Sequence, residues 1–239
     1  MDDNHIVEIR ELVKRYPVGG GHFTALRDVT TDVVVGEFTG LVGPSGSGKT
    51  TLLNIIGGLD APSEGSVTVL DMPLGGKNHK ELAHLRREGI GFIFQTFNLL
   101  PVYTVFENVE FPLLLMGMNG EDRRSAVNQA LEWVDLMDKV KSRPAQLSGG
   151  ECQRVAIARA IVKKPKLIIA DEPTANLDAE NSHNVMGLMV NLNRELSTSF
   201  MFATHDEKVM GYLTRIIHLI DGRIDEDEQV SKPKYREGK

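Results

Sequence analysis

Residues 43–50, Gly43-Pro44-Ser45-Gly46-Ser47-Gly48-Lys49-Thr50, constrain the fold more tightly than any other stretch. The spacing G-x-x-x-x-G-K-[ST] holds a phosphate chain only where it joins the end of a strand to the start of a helix. The apolar run Phe38 to Val42 precedes it. Leu52, Leu53, Ile55 and Ile56 follow at helical spacing until Gly57-Gly58 stops that helix. Glycines are required where backbone N–H groups must face phosphate oxygens with no side chain in the way. The helix aims the positive end of its dipole at the same anion. Lys49 supplies a point charge to the β- and γ-phosphates, and the Thr50 hydroxyl suits Mg2+. Gly43, Ser45, Gly46, Ser47, Gly48, Lys49, Thr50 and the adjacent Thr51 are therefore the expected nucleotide-binding group.

A second constraint comes from Leu167-Ile168-Ile169-Ala170-Asp171-Glu172, an apolar strand ending in two acids. A buried strand delivers Asp171 to the C-terminal edge of its sheet, where ligands bind in open α/β folds. Asp171 is then expected to hold Mg2+, directly or through its water. Glu172, one residue on, points elsewhere and can orient or deprotonate an attacking water.

Between and around these motifs, strands are predicted over 6–10, within 25–42, and over 66–70 (an edge strand), 90–94, 167–170, 200–203 and 216–220. Helices are predicted over 49–56, 151–163 and 182–196. Asp221-Gly222 signals a hairpin turn. Residues 96–150 read differently: a proline-punctuated segment, then a helix with Ala126, Val127, Ala130, Leu131 and Val134 on its inner face. This alternation predicts a mostly parallel α/β core with a helical subdomain at about 96–160. The expected domain runs from 1 to 224, and 225–239 reads as a charged tail.

The net charge of −6 lowers the expectation of a nucleic-acid partner, since phosphate neutralisation normally demands a basic face. The acidic start Met1 to His5 lacks the pattern of a signal peptide. Apolar stretches such as Phe111 to Met116 fall far short of the ~20 residues that cross a bilayer. The single cysteine, Cys152, forms no internal disulfide. A cytoplasmic protein that reaches a membrane through a partner is the resulting expectation.

Leu147-Ser148-Gly149-Gly150-Glu151 adds a second anion site: Ser148 is a good N-cap, and the glycines bare N–H groups at a helix start. In this order, the motifs resemble the ABC ATPase family over nearly the whole chain. Gly91-Phe92-Ile93-Phe94-Gln95, Phe97-Asn98-Leu99-Leu100-Pro101, Glu107-Asn108-Val109 and Arg143-Pro144 through Ala160 bring it nearer to the lipoprotein-releasing, macrolide-export and cell-division branch.

The resemblance implies a P-loop NTPase core with an N-terminal antiparallel β subdomain, ATP and Mg2+ as cofactors, and ATP hydrolysis. It implies that Gln95 reaches Mg2+ and the water, that His205 meets the γ-phosphate, and that Tyr16 stacks on adenine, with Phe23 nearby. It also implies that Ala175-Asn176-Leu177-Asp178 crosses a dimer interface, with Asp178 among the nucleotide-binding residues. Two subunits would pack head to tail, each offering Ser148, Gly149 and Gly150 to the other's nucleotide. An integral permease on the cytoplasmic face of the inner membrane would be the partner, for export or lipoprotein or lipid extraction. A non-transporting membrane complex of the cell-division type is the alternative. Phe97 to Tyr103 is either the partner's docking segment or packing of the helical subdomain.

Overall fold

The computed structural model describes residues 5–230. The acidic start before His5 and the tail beyond Val230 lie outside the described residues. Strands β1 (His5–Val18) and β2 (Gly21–Val34) form a long antiparallel hairpin with bulges. β4 (Glu64–Val69) pairs with β1, and the two-residue β5 (Met72–Pro73) pairs with β4, giving the sheet order β2-β1-β4-β5. β4 is thus flanked on both sides, where the sequence suggested an edge.

The second sheet has the order β10-β9-β3-β8-β7-β6. β3 (Phe38–Val42), β6 (Ile90–Ile93), β7 (Leu167–Asp171), β8 (Ser199–Thr204) and β9 (Arg215–Ile220) run parallel. β10 (Arg223–Gln229) returns antiparallel through the Asp221-Gly222 turn. Residues 225–229, expected in the tail, therefore belong to this strand. Burial does not hold them there; pairing with β9 and the Arg215–Asp227 ion pair do, with Nε–Oδ1 and one terminal nitrogen–Oδ2 both at 2.8 Å.

Alternation along the central strands explains why both faces of this sheet are covered. Ile168, Ala170, Phe200 and Phe202 face one core. That core is filled by helices α3 (Val105–Leu115), α4 (Gly120–Trp133), α5 (Gly149–Ile161) and α6 (Ala179–Leu196). Leu167, Ile169, Met201 and Ala203 face a second core, completed by the first sheet, α1 (Lys49–Ile56) and Leu85 of α2 (His79–Gly89). A short helix, α7 (Glu207–Met210), precedes β9. The N-terminal sheet and α1 thus lie on one side of the parallel sheet and the helical segment on the other. No helix among the described residues is long and apolar enough to cross a membrane.

Three helices escape the sequence reading, among them the four-residue α7. α2 buries only Leu85, so it shows almost no apolar stripe. α3 carries Pro112 in its interior, yet a capping box between Thr104 and Glu107 starts it. Helix α5 starts two residues earlier than predicted and stops at Ile161. Lys163 does not serve its own helix end; it donates to the carbonyls of Arg86 and Arg87 at the end of α2. Burial pushes its ammonium down to about 8.

Candidate nucleotide-binding site

β3 ends at the phosphate loop and α1 begins at Gly48, as the motif demands. Gly43 passes so close to β9 that a Cβ there would sit 2.0 Å from the Leu219 carbonyl oxygen. Gly48 has φ +105, and its Cβ would sit 2.8 Å from the Ala25 carbonyl oxygen. Helices α2 to α6 open with side-chain caps from Asn78, Thr104, Asn119, Ser148 and Asp178. Helix α1 opens with none and has no acid in its first turn. Its first N–H groups are left for an external anion. Ser47 Oγ, buried behind the loop, also has no protein partner. These are the features a bound phosphate chain would satisfy.

A cavity of about 580 Å3 opens over this loop. Its lining gathers Ser45, Gly46, Gly48, Lys49, Thr50 and Thr51 with Gln95, Asp171, Glu172 and His205, and with Tyr16, Phe23 and Ala25 at another side. Lys49 is buried and donates from Nζ to the carbonyls of Gly43 and Pro44, at 2.8 and 2.9 Å. Thr50 Oγ1 donates to Asp171, 3.0 Å from Oδ2. Burial raises the Asp171 carboxyl above its usual range, against the pull of Thr50 and Lys49. Threonine and carboxylate oxygens side by side form the hard-oxygen pair that Mg2+ prefers. Among the described residues, no cluster of three or more His, Cys, Asp or Glu could hold a metal. Phosphate oxygens and water would have to supply most of the ion's shell.

Glu172 leaves the strand direction by adopting φ 48, uncommon for a residue with a side chain. Its backbone N–H still pairs with the Ala203 carbonyl at 2.9 Å. The turn sends the carboxylate to His205, whose Nδ1 lies 2.7 Å from Oε1. A carboxylate only accepts, so the imidazole donates here. Sequence spacing separated these two residues; the parallel pairing of β7 with β8 joins them.

Tyr16 donates its hydroxyl to Asp60 Oδ2 at 2.7 Å, and burial, then this bond, raises its phenol above the usual range. Asp60 also accepts from Lys14 Nζ and from the Ala61 N–H. Burial alone would raise the Asp60 carboxyl, but the hydrogen bonds from Lys14, Tyr16 and Ala61 hold it lower.

Ser148, Gly149, Gly150 and Asp178 do not line the cavity among the described residues. Ser148 caps α5 through a reciprocal pair with Glu151: its Oγ accepts from the Glu151 N–H, and its own N–H donates to Oε2. Ser148 and Gly149 are exposed. Asp178 caps α6, accepting from the N–H and side-chain amide of Asn181.

Four residues tie these parts together, a role that no motif in the sequence assigned to them. Arg159 of α5 donates to the carbonyls of Phe97 and Asn98, both in left-handed backbone. Gln153 donates to the Pro173 carbonyl at 2.6 Å, and Asn176 to the Gln95 carbonyl at 2.8 Å. Asn108, fully buried, bonds both backbone groups of Leu100 and the carbonyls of Tyr103 and Thr104. For Arg159, Gln153 and Asn108 the available signal was polarity among apolar helix neighbours; Asn176 lies in the turn after β7 and gave none.

Comparison with known proteins matches the family description "ABC transporter" over residues 26–175. An uncharacterized ABC transporter ATP-binding protein of Methanocaldococcus jannaschii, MJ0796, is 41% identical over 229 residues, covering 94% of this chain and 97% of its own. The lipoprotein-releasing system ATP-binding protein LolD of Bordetella pertussis is 40% identical over 226 residues, covering 95% and 98%. A solved dimeric structure of MJ0796 in a post-hydrolysis state, bound to ADP and Pi, superposes with a TM-score of 0.86. That superposition covers 93% of this chain and 98% of that one, at 41% identity.

Proposed function

This chain belongs to the ABC transporter family as an ATP-binding, ATP-hydrolysing subunit, and from that premise we propose that two copies close head to tail around two ATP molecules to drive a separate membrane permease. One observation carries the reading. The cavity gathers the phosphate loop, Asp171, Glu172, His205 and Gln95, while the turn Ser148-Gly149-Gly150, exposed at Ser148 and Gly149, lies outside its lining. Each chain therefore offers half of two sites. The MJ0796 structure, a dimer bound to ADP and Pi, supports pairing of two copies.

In each composite site, Lys49 and the open N-terminus of α1 hold the β- and γ-phosphates. Thr50, Asp171 and Gln95 would hold Mg2+, which would supply positive charge beside the phosphate oxygens. Glu172 accepts a proton from the attacking water, and His205 keeps its carboxylate in place. Ser148, Gly149 and Gly150 of the second copy add a hydroxyl and helix-end N–H groups to the γ-phosphate. Tyr16 stacks on the base. ATP brings more negative charge than one half-site neutralises, so it favours closure, and hydrolysis removes that preference.

Arg159, Gln153 and Asn176 link helix α5, the segment after Gln95 and the turn after Glu172. Closure at the nucleotide is thereby passed to the helical side. There, a cleft of about 470 Å3 is lined by Phe92, Phe94, Phe111 and Leu115 together with Arg86 and Lys163. We assign it to a short helix of the permease. The segment Phe97 to Tyr103 braces the neighbouring wall through Asn108 and Arg159. The 40% identity to LolD favours export or lipoprotein extraction, with the subunit peripheral on the cytoplasmic face of the inner membrane.

The test is Glu172→Gln in the full chain. ATP binding is retained, phosphate release falls at least 100-fold, and gel filtration with MgATP shows a dimer. Hydrolysis at the normal rate removes Glu172 as the base.

A further inference from the structure

Tyr16, which lines the cavity, belongs to a small network with no place in phosphate chemistry. Lys14 is buried, 8% exposed, although it is charged. Its ammonium lies 4.7 Å from the centroid of the Tyr16 ring and 2.5 Å from Asp60 Oδ1. It also donates to the Ala61 carbonyl at 2.8 Å. Asp60 uses its other oxygen to accept from the Tyr16 hydroxyl at 2.7 Å. Tyr16 is thus fixed at its ring by a cation and at its tip by a carboxylate. Its cross-strand neighbour Phe23 also lines the cavity and is 54% exposed.

A buried lysine requires a charge partner, and Asp60 provides it. The pair could have been satisfied without Tyr16; instead Lys14 lies over its ring and Asp60 accepts from its hydroxyl. A side chain already held in its bound orientation loses less rotamer freedom when a ligand stacks on it. With its hydroxyl committed to Asp60, Tyr16 presents a face rather than a hydrogen bond to the base.

We infer that Asp60 and Lys14 are positioning residues for nucleotide binding, fixing Tyr16 as a preset wall for the nucleobase. This rests on the proposed role of Tyr16 as the stacking aromatic. Asp60 and Lys14 act on the base-bearing part of the ligand alone, and the phosphate end is indifferent to them.

The test uses the full chain, with ATP and inorganic tripolyphosphate as probes in isothermal titration. Tyr16→Phe removes only the hydroxyl and leaves the Lys14–Asp60 pair intact, so it guards against misfolding of Asp60→Ala. Each variant weakens ATP about three- to tenfold, the span expected from freeing one ordered side chain. The double variant is no worse than Asp60→Ala alone, because both changes break one link. Tripolyphosphate affinity stays at the wild-type value in all three. Parallel loss of tripolyphosphate, or additive losses in the double variant, overturns the inference. Tyr16→Ala separates the two levels. If it weakens ATP while Tyr16→Phe and Asp60→Ala do not, the anchor fails and the stacking role stands. If Tyr16→Ala binds ATP normally, the stacking role fails and takes the anchor with it.

Discussion

The turn before α5 contains two adjacent glycines whose substitution separates fold from function. A Cβ on Gly150 would lie 2.4 Å from Asn181 Oδ1, 2.8 Å from its Cγ and 3.4 Å from its Cβ. The Asn181 amide would have to swing aside. It would lose its bond to Asp178 Oδ2, one of two contacts by which Asn181 engages the cap of α6. Overpacking of this kind costs about 1–3 kcal/mol. For a domain of this size each kcal/mol lowers Tm by about 2–4 °C, so Gly150→Ala should melt about 2–12 °C lower. A Cβ on Gly149 meets nothing nearer than 3.7 Å. Gly149→Ala should melt at or slightly above the wild-type temperature, since alanine suits a helix start better. Its new methyl would nevertheless stand where the proposed partner nucleotide approaches, and turnover should fall about tenfold or more. Circular dichroism melts and phosphate release measure the two effects separately. A wild-type melt for Gly150→Ala would refute the seating of the turn on α6. Wild-type turnover for Gly149→Ala would refute its contact with nucleotide.

Two further outcomes follow from other parts of the structure. Arg215 is buried against Asp227 and Glu37, with the hydrogen bond it donates to Asp227 the leading cause of its raised basicity. Arg215→Met removes the cation from both acids. Because Asp227 is about one-third exposed, we expect a loss of about 2–3 kcal/mol rather than the full cost of a buried orphan charge. Hydrogen exchange should then show β10 opening before β3 or β8, and an unchanged melt would contradict this. At the nucleotide, Asp171→Asn, or EDTA on the wild type, should cut hydrolysis at least 100-fold while fluorescent-ATP binding persists. Full turnover in EDTA would remove Mg2+ from the account.

Local chemistry made the nucleotide end legible in the sequence. The phosphate loop, the acids after β7 and the Ser148 cap depend on neighbours a few residues away, and each appears where its motif placed it. What depended on tertiary pairing was not legible. Residues 225–229 carry no apolar pattern, and β10 exists because β9 and Arg215 hold it. The 2.7 Å contact between Glu172 and His205 comes from the register of β7 on β8 and the left-handed turn at Glu172. α2 hides because one buried leucine makes no stripe, although Asn78 and Glu81 form a capping box. The resemblance places Asp178 at the nucleotide across a dimer interface, and within one chain its carboxylate is engaged as the cap of α6.

Mixing two crippled chains addresses the composite site most directly. Lys49→Ala disables a phosphate loop, and Ser148→Arg disables the turn offered to a neighbour. Alone, each should be inactive. In an equal mixture, half of the dimers pair the intact loop of one chain with the intact turn of the other at one of two sites. Phosphate release should then recover towards about a quarter of the wild-type rate. A mixture no more active than its separate parts would contradict a site built from two copies.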